Sequence, residues 1–341
     1  MTTLFESCAS SLQAKPKAWL ITGVAGFIGS NLLEWLLVHG QKVVGLDNFS
    51  TGSRDNLAQV RACVGEEAWR NFFFIEGSIE DFATCVDAVR GVDHVLHHAA
   101  VDSVPRCSED LRKHHETNVN GFLNMLMAAR DEAVSSFTYA SCGSVSHQPG
   151  PESTAALRNS YHGAARVITK QMNEFYASVF AQNYQFKPIG LRYFEVFGPR
   201  QNPEAPNATV IPRWLATMLS GQRVVINGDG RASLEFCYVA DVVQANILAA
   251  VAPEEAKGEV YSVVAGNPIT LNELFNYMSF ELSSVSQKHK HSPLYNRSAS
   301  EEIRYSREDL MKIGNCLGYQ PRHDIRAGLS VAVPWYMNQS C

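Results

Sequence analysis

The stretch that decides the fold is Ala18-Trp-Leu-Ile-Thr22-Gly23-Val-Ala-Gly26-Phe-Ile-Gly29-Ser-Asn31. It opens on an apolar run that predicts a strand, and the apolar residues of Phe27–His39 recur at helical spacing. Between the two, Gly23 permits a tight turn, Gly26 lets a pyrophosphate approach the backbone, and Gly29 lets the helix pack closely on the sheet. The helix N-terminus then faces the phosphates, so the stretch predicts a dinucleotide-binding turn.

The second predicted strand, Lys42–Asp47, ends in a carboxylate 18 residues beyond Gly29. A carboxylate at this place accepts hydrogen bonds from both hydroxyls of an adenosine ribose and repels a 2′-phosphate. The predicted cofactor is therefore NAD rather than NADP.

Strand and helix patterns continue to alternate as far as about residue 190. Further strands are predicted at Asn71–Glu76, His94–His97, Ser136–Ala140 and Pro188–Arg192, and further helices at Asn118–Arg130 and Val167–Phe180. This alternation predicts an α/β fold, a Rossmann-type doubly wound parallel sheet. Beyond residue 195 the pattern becomes irregular and richer in Pro and Asn, which is typical of a smaller C-terminal substrate-binding lobe.

Composition excludes several classes of protein. With 45% hydrophobic and 18% charged residues among 341, the chain is neither disordered nor collagen-like. The apolar run Leu32–Val38 is interrupted by Glu34 and is too short to span a membrane. The net charge is −5 and there is no dense basic run, so neither nucleic acid nor a membrane surface is expected as a partner.

Cysteine and histidine usage bears on compartment and on metals. The eight cysteines form no C-x-x-C pair and the N-terminus lacks the pattern of a secretory signal, so we expect free thiols and a cytoplasmic protein. The pairs His97–His98 and His114–His115 have no third ligand at metal spacing. No metal site is predicted.

Several motifs together carry a family resemblance. They are TGVAGFIGSNL, LDNFSTG (Leu46–Gly52), HHAA (His97–Ala100), SVPR (Ser103–Arg106), TNVNGFLN (Thr117–Asn124), LRYFEVFGPRQ (Leu191–Gln201) and INGDG (Ile226–Gly230). The chain resembles the extended short-chain dehydrogenase/reductases, above all the UDP-N-acetylglucosamine 4-epimerases of bacterial surface-polysaccharide pathways. The resemblance runs almost to the end of the chain, at Val333–Tyr336.

The resemblance implies a chemistry and a set of contacts. Such enzymes use a tightly held NAD to oxidise the sugar at C4, and the hydride returns to the other face of the 4-keto intermediate. The implied cofactor contacts are Gly23, Gly26, Phe27, Ile28, Gly29, Asp47, Asn48, Phe49, Ser50, Gly52, Ser78, Ile79, Ala99, Ala100, Asn118, Lys170, Tyr193 and Val196. The implied contacts to a UDP-sugar or related activated sugar are Ser103, Glu195, Val210, Ile211, Asn227 and Arg304.

The resemblance also implies an organisation. It gives an NAD-binding domain at residues 1–195, with its core at 17–195, and a mainly nucleotide-sugar-binding lobe at 196–341, some of whose segments return to the sheet. The helices Asn118–Arg130 and Val167–Phe180 resemble those that form the family's four-helix dimer interface. We therefore expect a homodimer.

The proton relay of the family is altered here. Lys170 falls where the family lysine belongs, but the tyrosine position one turn earlier is Arg166, which stays protonated and cannot act as a base. Cys142 stands at the catalytic serine position, in the segment that continues through Ser144, and Ser146 replaces the tyrosine that closes it. We name Lys170, Cys142, Ser144 and Arg166 as the candidate catalytic residues.

The predicted ligand pockets also depart from the family. Ser78 replaces an aspartate that meets the adenine, and Leu234 replaces an arginine that meets the diphosphate. The segment Ala299–Arg304 loses one arginine and keeps Arg304, and Glu195 replaces an asparagine near the sugar diphosphate. Each lost cation or gained anion costs ~1–3 kcal/mol of diphosphate binding.

Alternatives stay open for the altered side chains. Arg166 either faces the catalytic site, binds an anionic substrate group or lies at the rim. Cys142 is either a nucleophile or acid with a stabilised thiolate, or a buried small residue that replaces serine. Tyr161 and His162 either supply a relocated base or belong to the loop that enters the next helix.

Three functions fit these residues. The first is an NAD-dependent enzyme on a nucleotide sugar, similar to the C4-epimerases but with rearranged acid and base groups. The second is a catalytically retired NAD-binding homologue. The third is a family member that uses Cys142 and Arg166 for different chemistry on another substrate, for which an anionic compound is one option. Ordinary 4-epimerase activity is expected to be weak or absent in all three.

Overall fold

The strand Ala18–Thr22 lies inside a seven-stranded sheet in the computed structural model, which describes residues 3–101, 108–146, 161–205, 208–285, 291–296 and 307–339. The strands are β1 (Ala18–Thr22), β2 (Lys42–Asp47), β3 (Phe72–Glu76), β4 (His94–His97), β5 (Ser136–Cys142), β6 (Ile189–Tyr193), β7 (Glu195–Phe197), β8 (Val225–Asn227), β9 (Ser233–Leu234), β10 (Phe236–Tyr238), β11 (Val260–Val263), β12 (Ile269–Thr270) and β13 (Leu294–Asn296). The α-helices are α1 (Leu4–Ala14), α2 (Phe27–Val38), α3 (Arg54–Trp69), α4 (Phe82–Val89), α5 (Ser108–His115), α6 (Gly121–Asp131), α7 (Tyr161–Asn183), α8 (Val210–Leu219), α9 (Val239–Ala250), α10 (Leu271–Val285), α11 (Arg307–Leu317) and α12 (Ile325–Gln339).

The large sheet has the strand order β11-β6-β5-β4-β1-β2-β3, and every neighbouring pair is parallel. Six of these strands follow the order of the Rossmann fold, so the predicted doubly wound parallel sheet is confirmed. The strand order reverses between β1 and β4, and ligands of such sheets bind at the carboxyl ends of the strands beside that reversal. The seventh strand, β11, comes from the C-terminal part of the chain.

Several predicted boundaries differ from the observed ones. β5 continues beyond Ala140 because Ser141 and Cys142 pair with Arg192 and Tyr193 of β6. The predicted helix Val167–Phe180 begins earlier, at Tyr161, which puts Tyr161 and His162 inside its first turn rather than in an entry loop. The predicted helix Asn118–Arg130 starts in a π-helical turn at Glu116–Asn120 and becomes α-helical only at Gly121.

The core consists of three buried apolar clusters. One lies between the sheet and α4, α6 and α7, and another between the sheet and α1, α2 and α9. The third joins β6 and β11 to the C-terminal helices α8 to α12. In α9 every residue except Ala240 is buried, so this helix holds the C-terminal part of the chain against the sheet.

Two further observations concern the described residues only. None of their helices has both the length and the apolar character that crossing a membrane requires. Six cysteines lie among them, and none of the six forms a disulfide: Cys8, Cys63, Cys85, Cys142, Cys237 and Cys316.

Candidate functional site

The turn after β1 requires two glycines, Gly23 and Gly29, for different reasons. Gly23 has a φ of +72°, which favours glycine, and a Cβ there would lie 2.8 Å from the backbone nitrogen of Ala99. At Gly29, in the first turn of α2, a Cβ would lie 2.2 Å from the carbonyl oxygen of Gly23. The N-terminus of α2 therefore approaches the turn as closely as a backbone can.

Asp47 ends β2 with both carboxylate oxygens already engaged by the backbone. Its Oδ2 accepts from the N–H of Ala25 at 2.9 Å, and its Oδ1 accepts from the N–H of Phe49 at 2.8 Å. Burial raises the pKa of Asp47, and the backbone hydrogen bonds oppose that rise. Each carboxylate oxygen can accept more than one hydrogen bond, so ribose hydroxyls find acceptors held in place.

A first cleft opens above the turn at the carboxyl ends of the strands. The predicted cofactor residues that line it are Gly23, Gly26, Asp47, Asn48, Ser50, Ser78, Ile79, Ala99 and Ala100. Backbone atoms and small side chains make up much of its wall beside the glycine turn. The residues present therefore fit the pyrophosphate and adenosine half of a dinucleotide.

The remaining predicted cofactor residues lie around this cleft or behind it. Phe27 and Ile28, at the start of α2, are half-buried and pack against the core. Gly52 approaches Ala25, where a Cβ would lie 2.9 Å from the Ala25 side chain. Phe49 has the guanidinium of Arg54 over its ring at 4.0 Å.

Asn118 and Val196, also predicted as cofactor contacts, are both buried. The side chain of Asn118 is buried; it accepts from the N–H of Val101 at 2.8 Å and donates to the carbonyl of Val101 at 2.9 Å. It thereby ties the segment after β4 to the π-helical turn. Val196 is buried in the core cluster that includes β6.

Lys170 is a buried residue of α7. An ion pair between α7 and β6 fixes the position of this helix over the sheet. Glu174, one turn further along α7, accepts two hydrogen bonds from Arg192 of β6, at 2.9 and 2.6 Å, and one from Ser141 of β5 at 2.6 Å. Lys170 is close enough to β4 to lower the pKa of His97 and His98, both of which burial lowers more strongly. The charge of Lys170 therefore acts on the two histidines at the end of β4.

A second cleft gathers residues from four separate parts of the chain. Cys142, Ser144, Arg166, Glu195 and Leu234 all line it. Cys142 is buried at the end of β5, Ser144 is exposed, and Arg166 and Glu195 are half-buried. The structure thus brings residues predicted to be catalytic together with Glu195 and Leu234, two residues at positions predicted to lie near a diphosphate.

The two clefts share a wall. His98 lines the first cleft and Tyr193 lines the second, and their rings stack with centroids 6.0 Å apart. The stacked pair therefore connects a residue of the first cleft with a residue of the second.

The predicted substrate residues are spread more widely. Ser103 and Arg304 lie outside the described residues, as do the side chains of Tyr161 and His162. Ile211 is fully buried in the core, Val210 precedes it at the start of α8, and Asn227 is exposed at the end of β8.

Sequence reasoning missed two titratable side chains of these clefts, His98 and Glu235. His98 forms a hydrogen bond with Asn246 of α9. It precedes Ala99, a predicted cofactor contact, in the HHAA motif, and this position could have identified it as a residue of the first cleft. Glu235 lines the second cleft, and its carboxylate is buried; Oε1 accepts from the N–H of Gly266, and Oε2 has no hydrogen-bond partner among the described residues. Within the same residues, no group of three metal-ligating side chains occurs.

This chain matches a known protein family and is similar to individual known proteins. The profile of the NAD-dependent epimerase/dehydratase family matches residues 19–264, which is more than half of the chain. A putative UDP-glucose 4-epimerase of Methanocaldococcus jannaschii is 27% identical over 326 residues, covering 94% of this chain and 99% of that protein. A UDP-N-acetyl-alpha-D-glucosaminuronate decarboxylase of Bacillus cytotoxicus is 30% identical over 328 residues, covering 94% and 98%.

A solved structure extends the likeness to three dimensions. The UDP-N-acetylglucosamine 4-epimerase of Methanobrevibacter ruminantium, in complex with UDP-N-acetylmuramic acid, is 28% identical and superposes with a TM-score of 0.79. The match covers 95% of this chain and 99% of that one. The residues lining both clefts fall within the range that the family profile matches.

Proposed function

This chain belongs to the NAD-dependent epimerase/dehydratase family, and on that basis we propose that it modifies the sugar of a UDP-linked or related nucleotide sugar, with acid and base groups that differ from those of UDP-N-acetylhexosamine 4-epimerases. The observation that carries the proposal is the wall that the two clefts share at His98 and Tyr193. A dinucleotide in the first cleft then lies beside a sugar in the second.

In this proposal the first cleft binds NAD. Gly23 and Gly26 leave room for the pyrophosphate, Asp47 accepts the adenosine ribose hydroxyls, and Lys170 binds the nicotinamide ribose. When bound there, NAD supplies a hydride acceptor for a carbon of the sugar. The protein's own task is to orient the sugar and to move the proton of its hydroxyl.

The second cleft supports a changed proton transfer. A base must be deprotonated near neutral pH and lie within hydrogen-bond reach of the hydroxyl. Arg166 stands where the family has that base, and a guanidinium cannot take up a proton. Cys142 and Ser144 line the same cleft and are the candidate proton carriers from β5 and the turn after it.

A second candidate is a substrate whose sugar carries an acid group. Arg166 and Leu234 line the same cleft. Compared with the family, this cleft lacks a positive charge near the diphosphate, where Leu234 replaces arginine. It has an additional positive charge at Arg166, where the family has its base. A guanidinium is well suited to bind a carboxylate. A saturable response to UDP-glucuronate, and none to UDP-N-acetylglucosamine, would favour this candidate, whereas no response to any nucleotide sugar would favour a retired NAD-binding protein.

The cofactor choice gives a first prediction. We expect NAD to bind about 100-fold more tightly than NADP, because the 2′-phosphate would be placed against the Asp47 carboxylate. Calorimetry on the wild type, Asp47→Asn and Asp55→Asn measures this. Asp47→Asn should reduce the difference in affinity between NAD and NADP. Asp55 is an exposed carboxylate in the first turn of α3, and Asp55→Asn should leave this difference unchanged. Equal affinity of the wild type for both dinucleotides would contradict the role of Asp47.

The substrate pocket gives a second prediction. We expect weak binding of UDP-N-acetylglucosamine, and a gain of at least about 10-fold on Leu234→Arg, because a charged hydrogen bond to the diphosphate is restored. Titration followed by calorimetry and by the absorbance of the bound cofactor checks both binding and hydride transfer. Leu4→Arg, at an exposed leucine of α1, is the control. Tight binding by the wild type would mean that other groups compensate for the lost arginine.

We also propose that the chain is a cytoplasmic homodimer that pairs through α7. One face of this helix exposes apolar side chains at helical spacing: Ile168, Met172, Phe175, Tyr176 and Val179. A continuous apolar patch of this kind on a soluble enzyme is typical of an interface. A second copy of the chain fits it, because two copies bury the same stripe against each other.

The dimer gives a third prediction. Phe175 is 63% exposed, so Phe175→Asp should convert a dimer to a monomer in sedimentation velocity without unfolding it. Phe280→Asp, at a phenylalanine of α10 that is 70% exposed, should stay dimeric. A wild type that sediments as a monomer, or a Phe175→Asp protein with unchanged mass, would rule out pairing through this stripe.

A further inference from the structure

His98 is fixed by two elements from different parts of the chain. Its ring stacks nearly parallel on Tyr193 of β6, with an angle of 10° between the planes. Its Nε2 lies 3.0 Å from Oδ1 of Asn246 on α9. Asn246 is itself fully buried. The imidazole therefore has a defined position at the end of β4, beside the first cleft.

The hydrogen bonds of Asn246 settle which ring nitrogen of His98 carries the proton. The amide nitrogen of Asn246 donates to the carbonyl of Val242 at 2.8 Å and to the hydroxyl of Tyr193 at 2.9 Å. A backbone carbonyl can only accept, so the amide nitrogen must point there and Oδ1 must point toward His98. Because Oδ1 accepts, Nε2 of His98 is the nitrogen that donates.

The ring is neutral, so its other nitrogen is an acceptor. Burial, and the nearby charge of Lys170, lower the pKa of His98 to about 4 although Asn246 opposes the shift. A neutral imidazole with its proton on Nε2 has a lone pair on Nδ1. Among the described residues no group donates a hydrogen bond to Nδ1. The half-buried ring lines the first cleft, and Nδ1 is the ring nitrogen that is left to accept a hydrogen bond from a ligand.

The strand order decides which half of a dinucleotide this acceptor meets. Asp47 ends β2, on one side of β1, whereas His98 follows β4, on the other side. A dinucleotide that places its adenosine ribose at Asp47 crosses the glycine turn after β1 and reaches β4 with its other half. Phosphate oxygens are only acceptors near neutral pH, so a lone pair on Nδ1 excludes a bond to the pyrophosphate.

We propose that Nδ1 of His98 accepts a hydrogen bond from the nicotinamide half of NAD, whose donors are the ribose hydroxyls and the carboxamide N–H. The inference rests on the proposed function because it requires NAD in the first cleft. It assigns a binding role to His98, which is not part of the glycine turn and is distinct from Asp47 and Lys170. Asn246 and Tyr193 are then positioning residues that fix the proton on Nε2.

Calorimetry with three ligands on the full-length protein, freed of bound nucleotide, tests the assignment. His98→Phe keeps a ring to stack on Tyr193 and removes both nitrogens. We expect it to weaken NAD binding by about 10-fold and to leave ADP binding unchanged, because ADP lacks the nicotinamide half. Loss of affinity for ADP-ribose as well as NAD identifies a ribose hydroxyl, and loss for NAD alone identifies the carboxamide. Equal losses for ADP and NAD, or no loss for NAD, would overturn the proposal.

The control and a second readout separate this role from a structural one. His39→Phe replaces a histidine that stacks on Trp35, 3.8 Å between ring centroids, and should not change the affinity for any of the three ligands. In nitrogen-15 spectra of labelled histidine, wild-type His98 should show an unprotonated Nδ1 that shifts on adding NAD but not ADP. A protonated Nδ1 in the NAD complex would overturn the proposal. A wild type that does not bind NAD at all would instead overturn the proposed function together with this inference.

Discussion

We expect the wild-type protein to convert UDP-N-acetylglucosamine to UDP-N-acetylgalactosamine ~10²–10⁴-fold more slowly than a family member with an intact proton relay, since general base catalysis contributes about that factor. In the family, a lysine stabilises the phenolate of the catalytic tyrosine by its charge. Here Lys170 keeps its place on α7, but Arg166 adds a second positive charge and no base. Conversion is measured by separating the two nucleotide sugars after incubation with NAD.

Two variants test which substitutions are responsible. Arg166→Tyr alone should recover only part of the activity, because Cys142 and Leu234 line the same cleft and also differ from the family. Arg166→Tyr with Cys142→Ser should recover more. Arg90→Tyr, at an exposed arginine after α4, is the control and should change nothing. Brisk turnover by the wild type would contradict the prediction and would point to a relocated base such as Tyr161 or His162.

The second large effect is expected at the glycine turn. Gly29→Ala should reduce NAD affinity at least about 100-fold and lower the free energy of unfolding by ~1–3 kcal/mol, the usual cost of overpacking. The new Cβ would lie 2.2 Å from the carbonyl oxygen of Gly23 and 2.9 Å from Cα of Val24, so α2 must move away from the turn. That movement withdraws the helix N-terminus from the pyrophosphate.

Gly314→Ala is the matched control for this variant. Gly314 also lies in a helix, α11, but a Cβ there meets its nearest neighbour, the carbonyl oxygen of Tyr319, at an ordinary 3.5 Å. We expect unchanged NAD binding and an unfolding free energy that is equal or higher by up to about 1 kcal/mol. Calorimetry and denaturant unfolding measure both quantities. A Gly29→Ala protein that binds NAD like the wild type would refute the close-packing argument.

Three of the first four strands were predictable to the residue. β1, β2 and β4 have the predicted bounds, because strands that are largely buried on both faces of a parallel sheet contain a short apolar run at their centre. The glycine spacing and Asp47 predicted NAD, and the family match confirms both the resemblance and the cofactor. These features are local, so a single stretch of chain carries all the information that they need.

Boundaries set by distant partners were less predictable. β5 extends to Cys142 only because β6 pairs with it there, and α7 begins at Tyr161, before the apolar spacing becomes regular. The residues next to these two boundaries do not predict where the strand ends or where the helix begins. The placement of β11 beside β6 likewise depends on a contact across more than sixty positions of sequence.

The site itself divides in the same way. The residue types at Arg166, Cys142, Leu234 and Glu195 could be read along the chain, and the register of Lys170 identified which positions had changed. That all four line one cleft follows only from the tertiary packing, which brings β5, α7, β7 and β9 together although β7 and β9 lie outside the large sheet. The HHAA motif places His98 near the first cleft, but the role that we propose for it could not be predicted from the motif, because its proton is fixed by Asn246, 148 positions away. Periodicity and turn chemistry act between neighbours in sequence, whereas a pocket and a tautomer are set by atoms that only the packing of β4, β6 and α9 brings within hydrogen-bond distance.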